Sequence, residues 1–177
     1  MIATASSIVG DLPTLVDELA DQLWNAYSPA VHHPLLVGIP TRGYFLARRV
    51  AQRWESLHAH HTPVGQIDIS FHRDDYSTYL PSPHPTRLLE PIEGRLIILV
   101  DDVFHTGRTV RAALEALHAL GRPAAVRLAV LIDRCAHELP IRPDLALRSV
   151  SIDSRIRIKI KMHEVDQEDA IYMIPVA

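Results

Sequence analysis

The sequence predicts an α/β domain built on a central, mostly parallel sheet flanked by helices. Three observations predict it. Short, largely apolar runs recur at residues 35–39, 96–100 and 126–132, the last broken only by Arg127, and stretches of helical periodicity stand between them. A continuous apolar run marks a strand covered on both faces, and strands alternating with helices imply parallel pairing through crossovers. The 177 residues show no internal repeat, and one hydrophobic core is enough for a chain of that length.

The elements follow in order. Residues 13–27 place Leu15, Val16, Leu19, Leu23 and Trp24 at helical spacing, with Asp17, Glu18 and Asp21 on the remaining surface. Pro29 to Pro34 end that helix, and Leu35-Leu36-Val37-Gly38-Ile39 reads as a buried strand. Residues 43–57 return to a helix with Phe45, Leu46, Val50 and Trp54 inward. An extended run from Val64 to Phe71 follows the break at His61–Pro63. Residues 73–94 hold Arg73-Asp74-Asp75, four prolines and little periodicity. A structureless stretch of that length is either a functional, mobile loop or a plain surface insertion, and the local sequence leaves both open. Leu96 to Val100 is the next strand, Thr109 to Leu120 a helix ended by Gly121-Arg122-Pro123, and Val126 to Ile132 a further strand. Residues 155–162 alternate strictly, as a strand with one buried and one solvated face does.

Composition narrows the function classes. The apolar stretches are too short to span a bilayer, so no membrane association is expected. Lys and Arg are absent before Arg42, which leaves no basic start for a secretory signal or transit peptide, and a cytoplasmic location is the expectation. Cys135 is the single cysteine, so an internal disulfide or a thiolate-rich zinc site is excluded and the thiol is read as buried or a bystander. A net charge of −3 gives no overall attraction for nucleic acid, though a local basic face is compatible with it. Neither the Gly-x-x-x-x-Gly-Lys nor the Gly-x-Gly-x-x-Gly phosphate motif occurs, and no Gly-x-Ser-x-Gly elbow is present. The His58-Ala59-His60-His61 cluster reads as solvated surface, with a metal site as the alternative.

The chemistry concentrates at residues 97–109, Ile-Ile-Leu-Val-Asp-Asp-Val-Phe-His-Thr-Gly-Arg-Thr. Ligands of a parallel sheet bind beyond its C-terminal strand ends, and Asp101 stands where the apolar run stops. Thr106-Gly107-Arg108-Thr109 then leads into a helix whose free amides and dipole can cradle a phosphate. Two carboxylates beside a phosphate site would only repel phosphate. They suit sugar hydroxyls, positive charge developing on a sugar ring, and a hard cation such as Mg²⁺. Taken alone, an Asp-Asp pair is more often a solvated strand end; the ordered thirteen-residue context favours a phosphorylated ribose.

That segment resembles the type I phosphoribosyltransferase signature of apolar strand, two acids and a Thr-Gly phosphate loop. A wider resemblance, over about residues 35–169, is to the PyrR family of bifunctional pyrimidine operon regulators and uracil phosphoribosyltransferases. It is carried by 36–43, by Val64-Gly65-Gln66-Ile67-Asp68-Ile69, by Arg73-Asp74-Asp75 and by Leu128 to Arg134. Glu138-Leu139-Pro140-Ile141-Arg142 and Glu164-Val165-Asp166-Gln167 complete it. The resemblance implies one phosphoribosyltransferase domain over 1–177, with a mobile loop at about 73–94 and a small hood at about 133–160.

It also implies the roles of residues. Phosphoribosyl pyrophosphate (PRPP) would be bound by Thr41, Arg42 and Gly43 at its pyrophosphate, and by Asp101, Asp102, Val103, Phe104, His105, Thr106, Gly107, Arg108 and Thr109. Arg73 would join Asp101 and Asp102 in catalysis from the closing loop, and the two aspartates would hold Mg²⁺, directly or through water. Val130, Ile132, Asp133 and Arg134 would face the base. The implied reaction joins uracil to PRPP, giving UMP and pyrophosphate. A homodimer or larger homo-oligomer is implied as well.

The family's second activity is binding a leader mRNA of pyrimidine genes in response to uridine nucleotides such as UMP or UTP. Here the chain departs from the pattern. Its N-terminal helix carries Asp17, Glu18 and Asp21 where the family is basic, Cys135-Ala136-His137 replaces a Gly-His-Arg, and 149–153 lacks a Pro-Thr-Ser stretch. Arg142 is kept. Arg155, Arg157, Lys159 and Lys161 fall on one side of the alternating strand, either as an RNA-binding stripe or as the polar face of an edge strand. The alternatives to a uracil enzyme are therefore an RNA-binding attenuator with weak or no catalysis, or a transferase for another base.

Overall fold

The apolar runs pair as a five-stranded parallel sheet in the computed structural model, which describes residues 3–4, 10–70 and 85–176. Arg73, Asp74 and Asp75, with most of the loop expected over 73–94, lie outside the described residues. In chain order the elements are β1 (Ala3–Thr4), α1 (Leu12–Tyr27), α2 (Pro29–His32), β2 (Leu35–Gly38), α3 (Arg42–His58), β3 (Val64–Gln66) and β4 (Leu96–Phe104). There follow α4 (Arg108–Leu120), β5 (Ala125–Asp133), β6 (Leu145–Ser149), β7 (Ile156–Lys161), α5 (His163–Asp166) and β8 (Ala170–Pro175). The parallel sheet has the order β3-β2-β4-β5-β6, and a second, antiparallel sheet has the order β1-β8-β7.

Alternation along the central strands sorts the core into two layers. Ile98 and Val100 of β4, with Ala129 and Leu131 of β5, face α1 and α3; Ile97, Leu99, Leu128 and Val130 face α4. Helix α1 starts at Asp11, whose carboxylate accepts from the Thr14 amide at 3.1 Å, a side-chain N-cap. Wholly buried Trp54 of α3 donates its indole N–H to the Ala20 carbonyl at 2.8 Å, so the large apolar body is buried without an orphaned donor. The acids on α1 are spent on the fold. Arg53 pairs with Asp17 and Asp21, and Arg148 of β6 pairs with Glu18 at 2.8 Å.

Three elements differ from the expectation. Strand β4 runs on through Asp101 and Asp102, because its parallel pairing with β5 continues at Asp101–Val130 and Val103–Ile132 after the apolar run has ended. The run from Val64 keeps strand geometry only to Gln66. Within the stretch assigned to the hood, β6 pairs in parallel with β5 and joins the main sheet, while the antiparallel sheet extends to Pro175. That small sheet docks through Ile158, Ile160, Met162 and Ile171, all buried in the layer containing α1 and α3. Its docking is reinforced by α3: Arg49 pairs with Glu164 and Asp169 at 2.6 and 2.8 Å, and the two acids raise the guanidinium's affinity for its proton.

Candidate active site

Strand β4 delivers the two carboxylates to the C-terminal edge of the parallel sheet. Asp101 is buried and Asp102 half-buried. The Asp102 amide donates to Asp101 Oδ1 and the Val103 amide to Asp102 Oδ1, each at 2.9 Å. Burial pushes the Asp102 carboxyl above the usual carboxylate range, against hydrogen bonding with Asp101 and the Val103 amide and the positive charge of Arg42. A pair so placed attracts a positive partner.

Directly after the pair, Gly107 takes φ +93°, a left-handed conformation that turns the chain into α4. The first-turn amides of α4 have no partners within the helix, which makes Thr106 to Thr109 an anion cradle. Ties to the 138–139 segment hold the cradle: the Glu138 and Leu139 amides donate to the Thr106 carbonyl, and the Arg108 side chain pairs with that of Glu138 at 2.7 Å.

The second loop meets the first through Gly43. A Cβ there would lie 2.4 Å from the Val100 carbonyl oxygen, so only glycine lets the start of α3 press against the end of β4. The Pro40–Thr41 peptide bond is cis. Arg42, expected to offer its fork to pyrophosphate, instead gives it to Asp166 of α5, with Nη2 at 2.7 and 2.9 Å from the two carboxylate oxygens and Nε at 3.2 Å.

The residues expected to face the base divide. Val130 and Ile132 are wholly buried inside the core, packed in different apolar clusters. Asp133 uses Oδ1 to accept from the Cys135 amide at 2.8 Å and lies 2.7 Å from His137 Nε2. Cys135 itself is exposed. Arg134 is buried yet lines the site; its Nη2 donates to the Ile156 carbonyl at 2.5 Å, and its Nε is buried without a partner among the described residues. Burial, with nearby Arg157 adding to it, holds the Arg134 pKa below the ordinary arginine value.

These parts enclose two adjoining clefts, of about 460 and 380 Å³. Asp101, His105, Thr109, Arg134 and Arg157 line both; Thr106 and Gly107 belong to the larger, Thr41, Arg42, Asp102 and Lys159 to the smaller. His105 is held neutral to lower pH than usual, by burial and then by Arg134, with Glu138 opposing. The alternating strand therefore contributes to the site, which its pattern alone did not reveal: Arg157 and Lys159 look into the clefts. Arg155 pairs with Asp153, Lys161 with Glu168, and Arg142 is exposed elsewhere.

Among the described residues no group of three or more His, Cys, Asp or Glu is arranged to hold a metal. Among the described residues at the clefts, a hard divalent cation would find the carboxylates of Asp101 and Asp102 and would complete its shell with ligand oxygens and water. That donor set fits Mg²⁺ bound together with a diphosphate. No helix among the described residues is long and apolar enough to cross a membrane.

Residues 6–160 match the family described as phosphoribosyl transferase domain. The chain is 45% identical over 146 residues to the bifunctional protein PyrR of Streptomyces coelicolor, covering 78% of this chain and 73% of that one. To the bifunctional protein PyrR of Roseiflexus sp. it is 42% identical over 167 residues, covering 93% and 88%. Among solved structures it is similar to the hypoxanthine phosphoribosyl transferase of Trypanosoma cruzi, with a TM-score of 0.64 at 16% identity over 92% of this chain and 85% of that one. At that identity the likeness concerns the fold.

Proposed function

The chain belongs to the PyrR family of phosphoribosyl transferase domain proteins, and from that premise we propose that it is a uracil phosphoribosyltransferase, forming UMP and pyrophosphate from uracil and PRPP. The observation that carries the reading is the Asp101–Asp102 pair near the end of β4, set just before the amide cradle at 106–109, with Asp101 and Thr109 lining both of the adjoining clefts. A ligand with hydroxyls beside one phosphate and a diphosphate beyond them matches that order.

In this reading the Thr106–Thr109 amides and hydroxyls hold the 5′-phosphate. The Asp101 and Asp102 carboxylates accept hydrogen bonds from the ribose hydroxyls and oppose the positive charge that grows on the ring as the bond from C1′ to the diphosphate breaks. Uracil N1 bonds to C1′ from the opposite face, with inversion, and its proton leaves with the departing diphosphate, so positioning and charge do most of the work. Mg²⁺, held at Asp101 and Asp102 with the diphosphate, would neutralise the leaving group. Arg73 is assigned to the closing loop by resemblance. Val130 and Ile132 could meet the base only through their backbone, which leaves Arg134 as the side chain of that group at the cleft.

Incubation with radiolabelled uracil, PRPP and Mg²⁺ tests the reading: labelled UMP is expected, and its absence refutes it. Product from another base under the same conditions would reassign the acceptor. The relatives' bifunctional name favours a second reading, binding of a pyrimidine-gene leader mRNA, with UMP or UTP as the signal and exposed Arg142 as a contact. A salt-dependent gel shift of that RNA is the expected result. A homodimer or larger homo-oligomer is part of the same reading, measured by light scattering on the eluting protein.

A further inference from the structure

The four cations of β7 and its approach are of two kinds. The outer two are neutralised, Arg155 by Asp153 and Lys161 by Glu168, the latter ammonium also lying 5.2 Å from the centre of the Tyr172 ring. The inner two, Arg157 and Lys159, have neither a hydrogen bond nor an ion pair among the described residues. Strand alternation explains their direction: Ile158 and Ile160 are committed to the core, so Arg157 and Lys159 turn the other way, onto the cleft wall.

The same cleft is short of positive charge where a diphosphate would lie. Arg42 is the cation nearest in sequence to the Thr41–Gly43 loop, and its guanidinium is closed in a bidentate pair with Asp166, 26% and 14% exposed. An incoming anion meets that pair as a dipole rather than a cation. Asp101 and Asp102 add repulsion from the other side. Arg134 stands behind β7, 7% exposed, with its unpartnered Nε buried in the wall. A buried donor without an acceptor is costly unless a ligand supplies one.

The two ends of the donor are also separated in space. Thr106 and Gly107 belong to the larger cleft, Thr41, Arg42 and Lys159 to the smaller, and Arg157 stands between them. We infer that Arg157 and Lys159, backed by Arg134, bind the diphosphate end of the donor, supplying the charge that Arg42 has given to Asp166. The inference rests on the transferase reading for the identity of the donor. It moves the inner half of the basic stripe from an RNA surface to the catalytic cleft.

The test compares wild-type protein with Arg157→Gln, Lys159→Gln, the double variant and Arg155→Gln. The three side chains replaced are exposed, and thermal melts verify folding. Calorimetric titration with inorganic pyrophosphate, with and without Mg²⁺, needs no turnover. Each inner substitution is expected to weaken pyrophosphate binding about tenfold, as loss of one charge-assisted contact does. KM for PRPP should rise in step while KM for uracil stays within about twofold, and Lys159→Arg should restore most of the affinity. Arg155→Gln should change nothing.

Unchanged pyrophosphate affinity in the double variant overturns the inference, and doubly so if that variant has lost leader RNA. An equal loss in Arg155→Gln overturns it too, since it would show long-range charge rather than contact. If wild-type protein forms no UMP yet binds pyrophosphate through Arg157 and Lys159, the transferase reading fails and the anion site stands.

Discussion

The two walls of the cleft are made by different means. The wall on the parallel sheet is built from backbone: amides at 106–109, a glycine that admits α3 to within contact of β4, and two aspartates anchored by neighbouring amides. The wall on the antiparallel sheet is built from long cationic side chains standing on a strand held down by isoleucines and by ion pairs to α3. In the transferase reading the first wall specifies where a sugar and its phosphate lie, and rigid supports give it precision. The second supplies charge that can follow an anion over a few ångströms. Geometry and charge are thus assigned to separate sheets.

The comparison can be broken from its strongest side first. Asp101→Asn with Asp102→Asn should lower UMP formation by roughly 10³-fold while the fold melts normally, as expected for charge-stabilising groups; near-normal turnover would remove the carboxylates from the chemistry. Gly43→Ala forces a methyl against the Val100 carbonyl and should destabilise by about 2–3 kcal/mol, the usual scale of overpacking, measured by urea unfolding. A neutral result would mean that the backbone wall yields more than described.

Removing the clamp on the other wall should cost less. Arg49→Met is expected to lower stability by about 1–2 kcal/mol at neutral pH, a partly exposed bidentate network being worth more than a single surface pair. Glu164 and Asp169 are held below the usual carboxylate range chiefly by their hydrogen bonds to Arg49, against burial. Depressed carboxylates stabilise above their unfolded pKa and lose that contribution as pH falls through the folded values. The difference between Arg49→Met and wild-type protein should therefore shrink as pH falls through and below the ordinary carboxylate range. A pH-independent difference would assign the loss to packing. Smallest of all, Glu18→Gln opens a half-exposed pair with Arg148 and should change stability by no more than about 0.5 kcal/mol.

The sequence carried the parallel sheet because its strands are apolar on both faces, and it carried the first wall because that wall is local: thirteen consecutive residues hold the acids and the cradle. Other features had no local signal. Strand β6 is half-buried at the sheet edge, so Leu145–Ser149 lacks an apolar run. The reach of β4 past Val100 depends on pairing with β5, which two aspartates conceal. Arg42 looked available because its partner, Asp166, is 124 positions away. The acids of α1, which stand where the family is basic, are partners for Arg53 and Arg148. Alternation showed that Arg157 and Lys159 share a side, but which surface that side meets is decided by the docking of the small sheet.

Arg42 and Arg49 are seven positions apart, two turns of α3, and both clasp the segment that joins β7 to β8. The helix that begins at the Thr41–Gly43 loop is thus also the one that holds the cationic strand. The span between the walls is set by one stiff rod, like the gap of a caliper whose two jaws share a beam. A substitution that tilts α3 would change the width of the opening and the position of the positive charge together.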